Sequence, residues 1–134
     1  MRSLGDLAWI NDYIGLPYKH GGRDWEGVDC YGLVKLVYQE EYGITLKDWA
    51  TEVMSIREKS DTISSVVCGG DWEDVEEPED GDFVVCKRHK ASHHIGIYFG
   101  GGVLHACSGA GVVYQTLGRF KANYTNVSFG KWTP

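Results

Sequence analysis

In the stretch Gly27-Val28-Asp29-Cys30-Tyr31-Gly32-Leu33-Val34 a cysteine stands where an amphipathic helix begins. From Cys30, apolar residues recur at Leu33, Val34, Val37 and Tyr38, the spacing of a buried helical face. The preceding Pro17-Tyr18-Lys19-His20-Gly21-Gly22-Arg23 is too glycine-rich for a regular element and reads as a loop. A thiol in the first turn of a helix lies near unpaired amide hydrogens and the positive end of the helix dipole. Both favour thiolate over thiol, as in reactive cysteines. The alternative is an ordinary core cysteine, since free cysteine is among the most buried residue types.

A second stretch bears on that choice. His93-His94-Ile95-Gly96-Ile97-Tyr98-Phe99 reads as a strand, Gly100-Gly101-Gly102 as a tight turn, and Val103-Leu104-His105-Ala106-Cys107 as the returning strand. Alternation puts His94, Gly96 and Tyr98 on one face and Ile95, Ile97 and Phe99 on the other, while Val103, His105 and Cys107 form one set on the partner. If the turn sets His94 and His105 on one face, their imidazoles are neighbours. A nucleophile, a base and a group that orients the base would then be present as Cys30, His94 and His105. Gly96 leaves room for a close approach to the strand, and the Cys30 helix is expected to dock against the His94 face. Spacing alone does not supply that docking.

At 134 residues, 43% apolar and 13% aromatic, the chain reads as one globular domain, 1–134. No apolar run is long enough to cross a bilayer, and Met1-Arg2-Ser3-Leu4-Gly5-Asp6 lacks the apolar core of a signal peptide, so cytoplasmic synthesis without membrane insertion is expected. Cys30, Cys68, Cys86 and Cys107 show no CxxC spacing and are expected to be reduced, the last three as packing residues. The net charge of −6 is local: eight of the 19 acidic residues lie between Asp71 and Asp82. That segment reads as a solvated loop rather than a calcium site, its spacing being unlike an EF-hand. With no basic stripe, nucleic acid is not an expected partner.

Along the chain, residues 4–13 have helical spacing, the Cys30 helix runs to about Tyr42 and stops at Gly43, and residues 47–67 look helical or mixed. Strands follow: Phe83-Val84-Val85-Cys86, then a basic loop Lys87-Arg88-His89-Lys90, the hairpin, and Val112-Val113-Tyr114-Gln115. A turn or short helix is expected over 119–124 and a last strand over 127–132. Helices first and an antiparallel sheet second make an α+β layout.

The chain resembles the NlpC/P60 cysteine peptidases of the papain-like superfamily. The resemblance rests on Gly15-Leu16-Pro17-Tyr18-Lys19-His20-Gly21-Gly22, Val28-Asp29-Cys30-Tyr31-Gly32-Leu33-Val34, Gly81-Asp82-Phe83-Val84, His94-Ile95-Gly96-Ile97-Tyr98 and Val103-Leu104-His105-Ala106, in the family's order. It implies a helical N-terminal part on a central antiparallel sheet, with Cys30 as nucleophile, His94 as base and His105 as the orienting residue. It also implies cleavage of peptidoglycan stem peptides beside D-glutamate and before the diamino acid. Tyr18 matches a tyrosine that helps bind substrate or the oxyanion. Asp29 matches an acid that recognises the substrate's free amino end, or it is simply the helix N-cap. His93 competes with His94, and the resemblance selects His94; His20 and His89 read as surface loop residues. Many members carry serine after the nucleophile, where this chain has Tyr31. That departure is similar to members found in phage tail assemblies, which implies tail-tip partners and action at the cell wall.

The chemistry expected is thiol acyl transfer, with the Cys30 amide and Tyr18 at the oxyanion and no metal or organic cofactor. Three other readings stand beside it: an amidase or acyltransferase on the same scaffold, a catalytically idle tail or assembly protein, and a zinc site made by Cys30, His94 and His105.

Overall fold

The computed structural model describes residues 8–46, 72–89 and 92–132. The segment 47–67, expected to be helical or mixed, Cys68 and the first residues of the N-terminal helical segment lie outside them. Helix α1, Cys30–Val37, starts where the spacing places it. Asp29, in extended conformation, caps it by accepting the Gly32 N–H at 2.7 Å. Leu33, Val34 and Val37 are fully buried, each contributing about 1.5–3 kcal/mol by leaving water. The helix continues as a wider π turn, Tyr38–Tyr42, and ends at Gly43, whose φ of 68° is a left-handed stop.

Ahead of it, Ala8–Asp12 is a 3-10 helix rather than the expected α-helix. The Tyr13 N–H bonds three residues back to the Ile10 carbonyl, and Trp9 is wedged edge-on against Tyr13 and Phe99. Among the described residues no helix is long and apolar enough to cross a membrane.

A two-residue ribbon pairs β1, Arg23–Asp24, with β2, Gly27–Val28. The main sheet holds β3 (Trp72–Val75), β4 (Phe83–His89), β5 (Ser92–Phe99), β6 (Gly102–Cys107), β7 (Gly111–Thr116) and β8 (Thr125–Trp132). Their order is β3-β8-β4-β5-β6-β7, every pair antiparallel. Helix α2, Leu117–Asn123, is capped by Thr116 and joins β7 to β8. The α+β expectation and the hairpin around Gly100–Gly102 therefore hold.

Two expectations fail. Part of the acidic segment is a strand: β3 pairs with β8, with Glu73 opposite Lys131. Carboxylates are tolerated at a sheet edge, and the Lys131 ammonium reaches Glu79 and Asp82 at 3.3 and 3.5 Å. The basic loop is also strand, because β4 continues through Lys87 (opposite His93) to His89 (opposite Ser92). His89 is accordingly a strand residue, whereas His20 is exposed in its loop.

The sheet has two apolar faces. Ile95, Ile97, Phe99, Leu104, Ala106 and Val112 pack with α1. Val84, Cys86 and Val103 pack with Phe120 of α2. The body of α1 thus docks on the Ile95 face, not on the His94 face as expected. Its apolar stripe must be buried against apolar side chains, and alternation puts those on the odd-numbered positions of β5.

Candidate active site

Asp29 sets the start of α1. It is 1% exposed. Its Oδ1 accepts from Gly32 N–H and from Arg23 Nη1 at 2.7 Å, and its Oδ2 from Gly21 N–H at 3.1 Å. This is the capping alternative realised; an amine reaching the carboxylate would compete with Arg23. Gly32 is required here, since a Cβ would collide with the Gly22 carbonyl. The residue expected beside the nucleophile, Tyr18, is half-buried and bridged in parallel to Val28. Its loop is anchored at both ends: Lys19 N–H to the Val28 carbonyl at 3.0 Å, and Val112 N–H to the Leu16 carbonyl at 2.9 Å. The segments carrying Tyr18 and Cys30 are thereby held side by side.

His94 and His105 meet. His94 Nε2 lies 2.9 Å from His105 Nδ1, and His105 Nε2 lies 2.8 Å from Gln115 Oε1. The hairpin register accounts for the first contact: Tyr98 opposes Val103, so even positions of β5 share a face with odd positions of β6. It accounts for the second too, since Val103 opposes Gln115 and His105 opposes Val113 on β7. Gly96 makes the close approach feasible; a Cβ there would sit 2.9 Å from the Leu104 carbonyl and 3.0 Å from His105 Cβ. Both rings are buried, His94 at 5% and His105 at 0% exposure. Aromatic residues wall them: Tyr124 stacks on His94 with centroids 4.9 Å apart, and Phe120 meets His105 edge-on at 4.9 Å.

Gln115 fixes the tautomers. An amide oxygen only accepts, so His105 carries its proton on Nε2 and its lone pair on Nδ1. His94 then donates from Nε2, and the basic nitrogen of the neutral ring is Nδ1.

Cys30 is the first residue of α1 and is 3% exposed. Its helix packs against β5 and β6. The Cys86 thiol, whose residue opposes His94, is pushed up to about 12 by burial first and then by the Cys30 and Cys107 thiols. Cys86 lies on the His94 face of the sheet, packed with Val84, Val103 and Phe120, whereas Cys30 is buried in the cluster that holds Ile95 and Ile97. The structure thus joins His94 and His105 directly, sets Cys30 near their strand, and turns Asp29 inward as a cap.

Gln115, Phe120, Tyr124 and Cys107 were not singled out by the sequence as site residues. The signal for Gln115 is a lone amide in an apolar strand, on the His105 side by alternation. For Phe120 and Tyr124 it is their i, i+4 spacing.

Known proteins resemble the chain over most of its length. The sequence profile of the NlpC/P60 family matches residues 15–129. The murein DD-endopeptidase MepS/murein LD-carboxypeptidase of Escherichia coli (strain K12) is 27% identical over 107 residues, covering 79% of this chain and 50% of that protein. The bifunctional muramidase/DL-endopeptidase CwlT of Bacillus subtilis (strain 168) is 34% identical over 128 residues, 89% of this chain and 33% of that protein. The chain therefore spans half or less of these two relatives. The crystal structure of the NlpC/p60 domain of the peptidoglycan hydrolase SagA superposes with a TM-score of 0.59 at 24% identity, covering 92% of each chain. That likeness establishes the fold.

Proposed function

The chain belongs to the NlpC/P60 family, and on that premise we propose that it hydrolyses peptidoglycan stem peptides, cutting a D-glutamyl–diamino acid type of amide bond. Cys30 is the nucleophile, His94 the general base and His105 the residue that orients it. The observation that supports this most is the hydrogen-bond chain from Gln115 Oε1 through His105 to His94 Nε2, with its 2.8 and 2.9 Å links. It leaves Nδ1 of His94 as the atom that takes the thiol proton. The imidazolium so formed still donates through Nε2, so His105 stabilises it without reorganising.

The thiolate attacks the amide carbonyl, and the oxyanion is held by the Cys30 amide and the Tyr18 hydroxyl. Protonated His94 releases the amine by giving it the proton. Water, activated by the same ring, then hydrolyses the thioester. The bond class is suggested by the DL-endopeptidase activity named for the Bacillus subtilis relative. The Escherichia coli relative's name offers DD-endopeptidase and LD-carboxypeptidase cleavage as the competing outcomes.

Digestion of a defined muropeptide set, read by mass spectrometry, tests the proposal. Fragments ending at D-glutamate are expected from the intact protein and none from Cys30→Ala; undiminished cleavage by that variant overturns it. The setting proposed is a phage tail opening the wall. It rests on Tyr31 in the place of serine, here buried with the Arg23 guanidinium 5.6 Å from its ring centroid. Finding the chain in purified tail particles by mass spectrometry is the check.

A further inference from the structure

Two donors converge on one lone pair beside the base, and we propose that His94 Nε2, His105 Nδ1 and Cys107 Sγ form a binding site for a thiophilic divalent cation of the zinc class, whose occupancy switches the base off. His105 Nδ1 is 2.9 Å from His94 Nε2 and 3.3 Å from Cys107 Sγ, and the three atoms lie within 4.8 Å of one another. Because Gln115 holds the His105 proton on Nε2, Nδ1 has a single in-plane lone pair for both the His94 N–H and the Cys107 S–H. Such a pair serves one donor well and a second poorly. A cation at that point, with the thiol ionised, replaces two competing protons by one ion with three ligands.

The donor set suits this class of ion. Two imidazoles and a thiolate, with no carboxylate, select zinc over magnesium or calcium. Tetrahedral bonds of about 2.0–2.1 Å to nitrogen and about 2.3 Å to sulfur place ligand atoms roughly 3.3–3.6 Å apart. The two rings part by a few tenths of an ångström, and Cys107, only half-buried at the end of β6, turns about χ1 to close the third side. The surrounding groups are also those of a metal site. His105 donates its other N–H to Gln115 Oε1, which fixes the ligating tautomer. The Tyr124 hydroxyl, 3.7 Å from Cys107 Sγ, is positioned to donate to the thiolate. Cys86 is not a fourth ligand: its Sγ donates to the His94 carbonyl at 3.7 Å, and burial keeps it protonated.

The protons balance. Cys107 releases one to solvent, and the His94 proton moves from Nε2 to Nδ1, the ring staying neutral. With Nδ1 protonated and Nε2 on the ion, His94 has no nitrogen left for the Cys30 proton. Binding rests on the geometry alone; its consequence for turnover rests on the peptidase reading.

Cobalt(II) titration of the reduced Cys30→Ala protein tests the site, with the catalytic thiol removed as a competitor. One equivalent is expected to give the intense visible bands of a four-coordinate ion and a thiolate-to-cobalt charge-transfer band, both displaced by zinc. Adding Cys107→Ala is expected to abolish the charge-transfer band, and Gln115→Leu to weaken binding roughly 10–100-fold. No band in Cys30→Ala, or a band that survives loss of Cys107, overturns the site. Should the double variant fail to fold, X-ray absorption on zinc-loaded Cys30→Ala decides, a shell without sulfur being fatal. Cobalt binding intact in a protein whose metal-free wild type cuts no muropeptide overturns the peptidase reading and leaves the site standing.

Discussion

His94 and His105 face each other through Nε2 and Nδ1 at 2.9 Å, with their rings 82° apart. One proton lies between them, and its donor is decided by the far side of His105, where Gln115 Oε1 accepts at 2.8 Å. A second proton arriving at His94 Nδ1 leaves the bond between the rings intact. A second proton arriving at His105 would set two N–H groups against each other. The pair therefore directs positive charge to His94, the ring that would serve Cys30.

On the proposed mechanism Gln115 is a positioning residue. Gln115→Leu leaves a buried His105 N–H without its acceptor, a loss of about 1–3 kcal/mol. It also frees His105 to present a proton toward His94. A fall in kcat of about tenfold to hundredfold is expected, with KM little changed. Gln115→Glu keeps an acceptor and restores activity, but its carboxylate stabilises the imidazolium and moves the acid limb of kcat to higher pH. If both variants lower Tm without touching the kcat–pH profile, Gln115 only packs.

Thiol reactivity separates Cys30, the proposed nucleophile, from its neighbours. Cys86 is fully buried, and its thiol is pushed up to about 12, chiefly by burial. Brief treatment with iodoacetamide at neutral pH is expected to label Cys30 and leave Cys86 untouched, as mapped by peptide mass spectrometry. Labelling of Cys86 ahead of Cys30 would remove the ground for calling Cys30 activated.

The helix start at Cys30 and the hairpin that pairs the two histidines were legible because each rests on local chemistry: an N-capping aspartate, a period of 3.6, a period of 2, and three glycines at a turn. What was not legible depends on partners distant in the chain. β3 is a strand only because β8 returns to pair with it, and no local pattern in an acidic stretch announces that. The docking of α1 was misjudged for a related reason. The need for Cys30 to meet His94 suggests facing elements, whereas the apolar stripe of the helix goes to Ile95 and Ile97. Gln115 was visible as a residue, but its role needed the register of β6 on β7.

The start of α1 depends on Asp29 and Gly32. Asp29→Ala removes the cap, worth about 0.5–2 kcal/mol, and also the ion pair with Arg23, whose Nη1 sits 2.7 Å from the carboxylate. A clear drop in Tm is expected. Asp29→Asn, which keeps an oxygen for the Gly32 N–H, is expected to cost less. Gly32→Ala forces the Gly22 carbonyl away, so the loop carrying Tyr18 shifts, and activity is expected to fall further than stability. Thermal unfolding beside muropeptide turnover separates the two effects. Asp29→Ala with an unchanged Tm contradicts the capping role.

Alkaline stability offers a test of the thiol cluster that needs no substrate. The Cys86 thiol moves from an ordinary 9.0 to about 12 in the folded chain. Below pH 9 it is protonated whether folded or not, and its contribution is complete. Above pH 9 the unfolded chain loses this proton while the folded chain keeps it. The folded state then binds more protons, and stability declines by about 1.4 kcal/mol per pH unit for this one group. Tyr42, raised from 10.0 to about 12, Tyr38, raised further, and Tyr114, also raised, act in the same direction and begin to contribute as pH approaches 10. Cys86 is therefore read by difference, from the part of the slope that its removal takes away. In urea titrations from pH 9 to 10, Cys86→Ala is expected to flatten the decline, whatever the variant costs at neutral pH. An unchanged slope means that Cys86 is not held protonated by its burial.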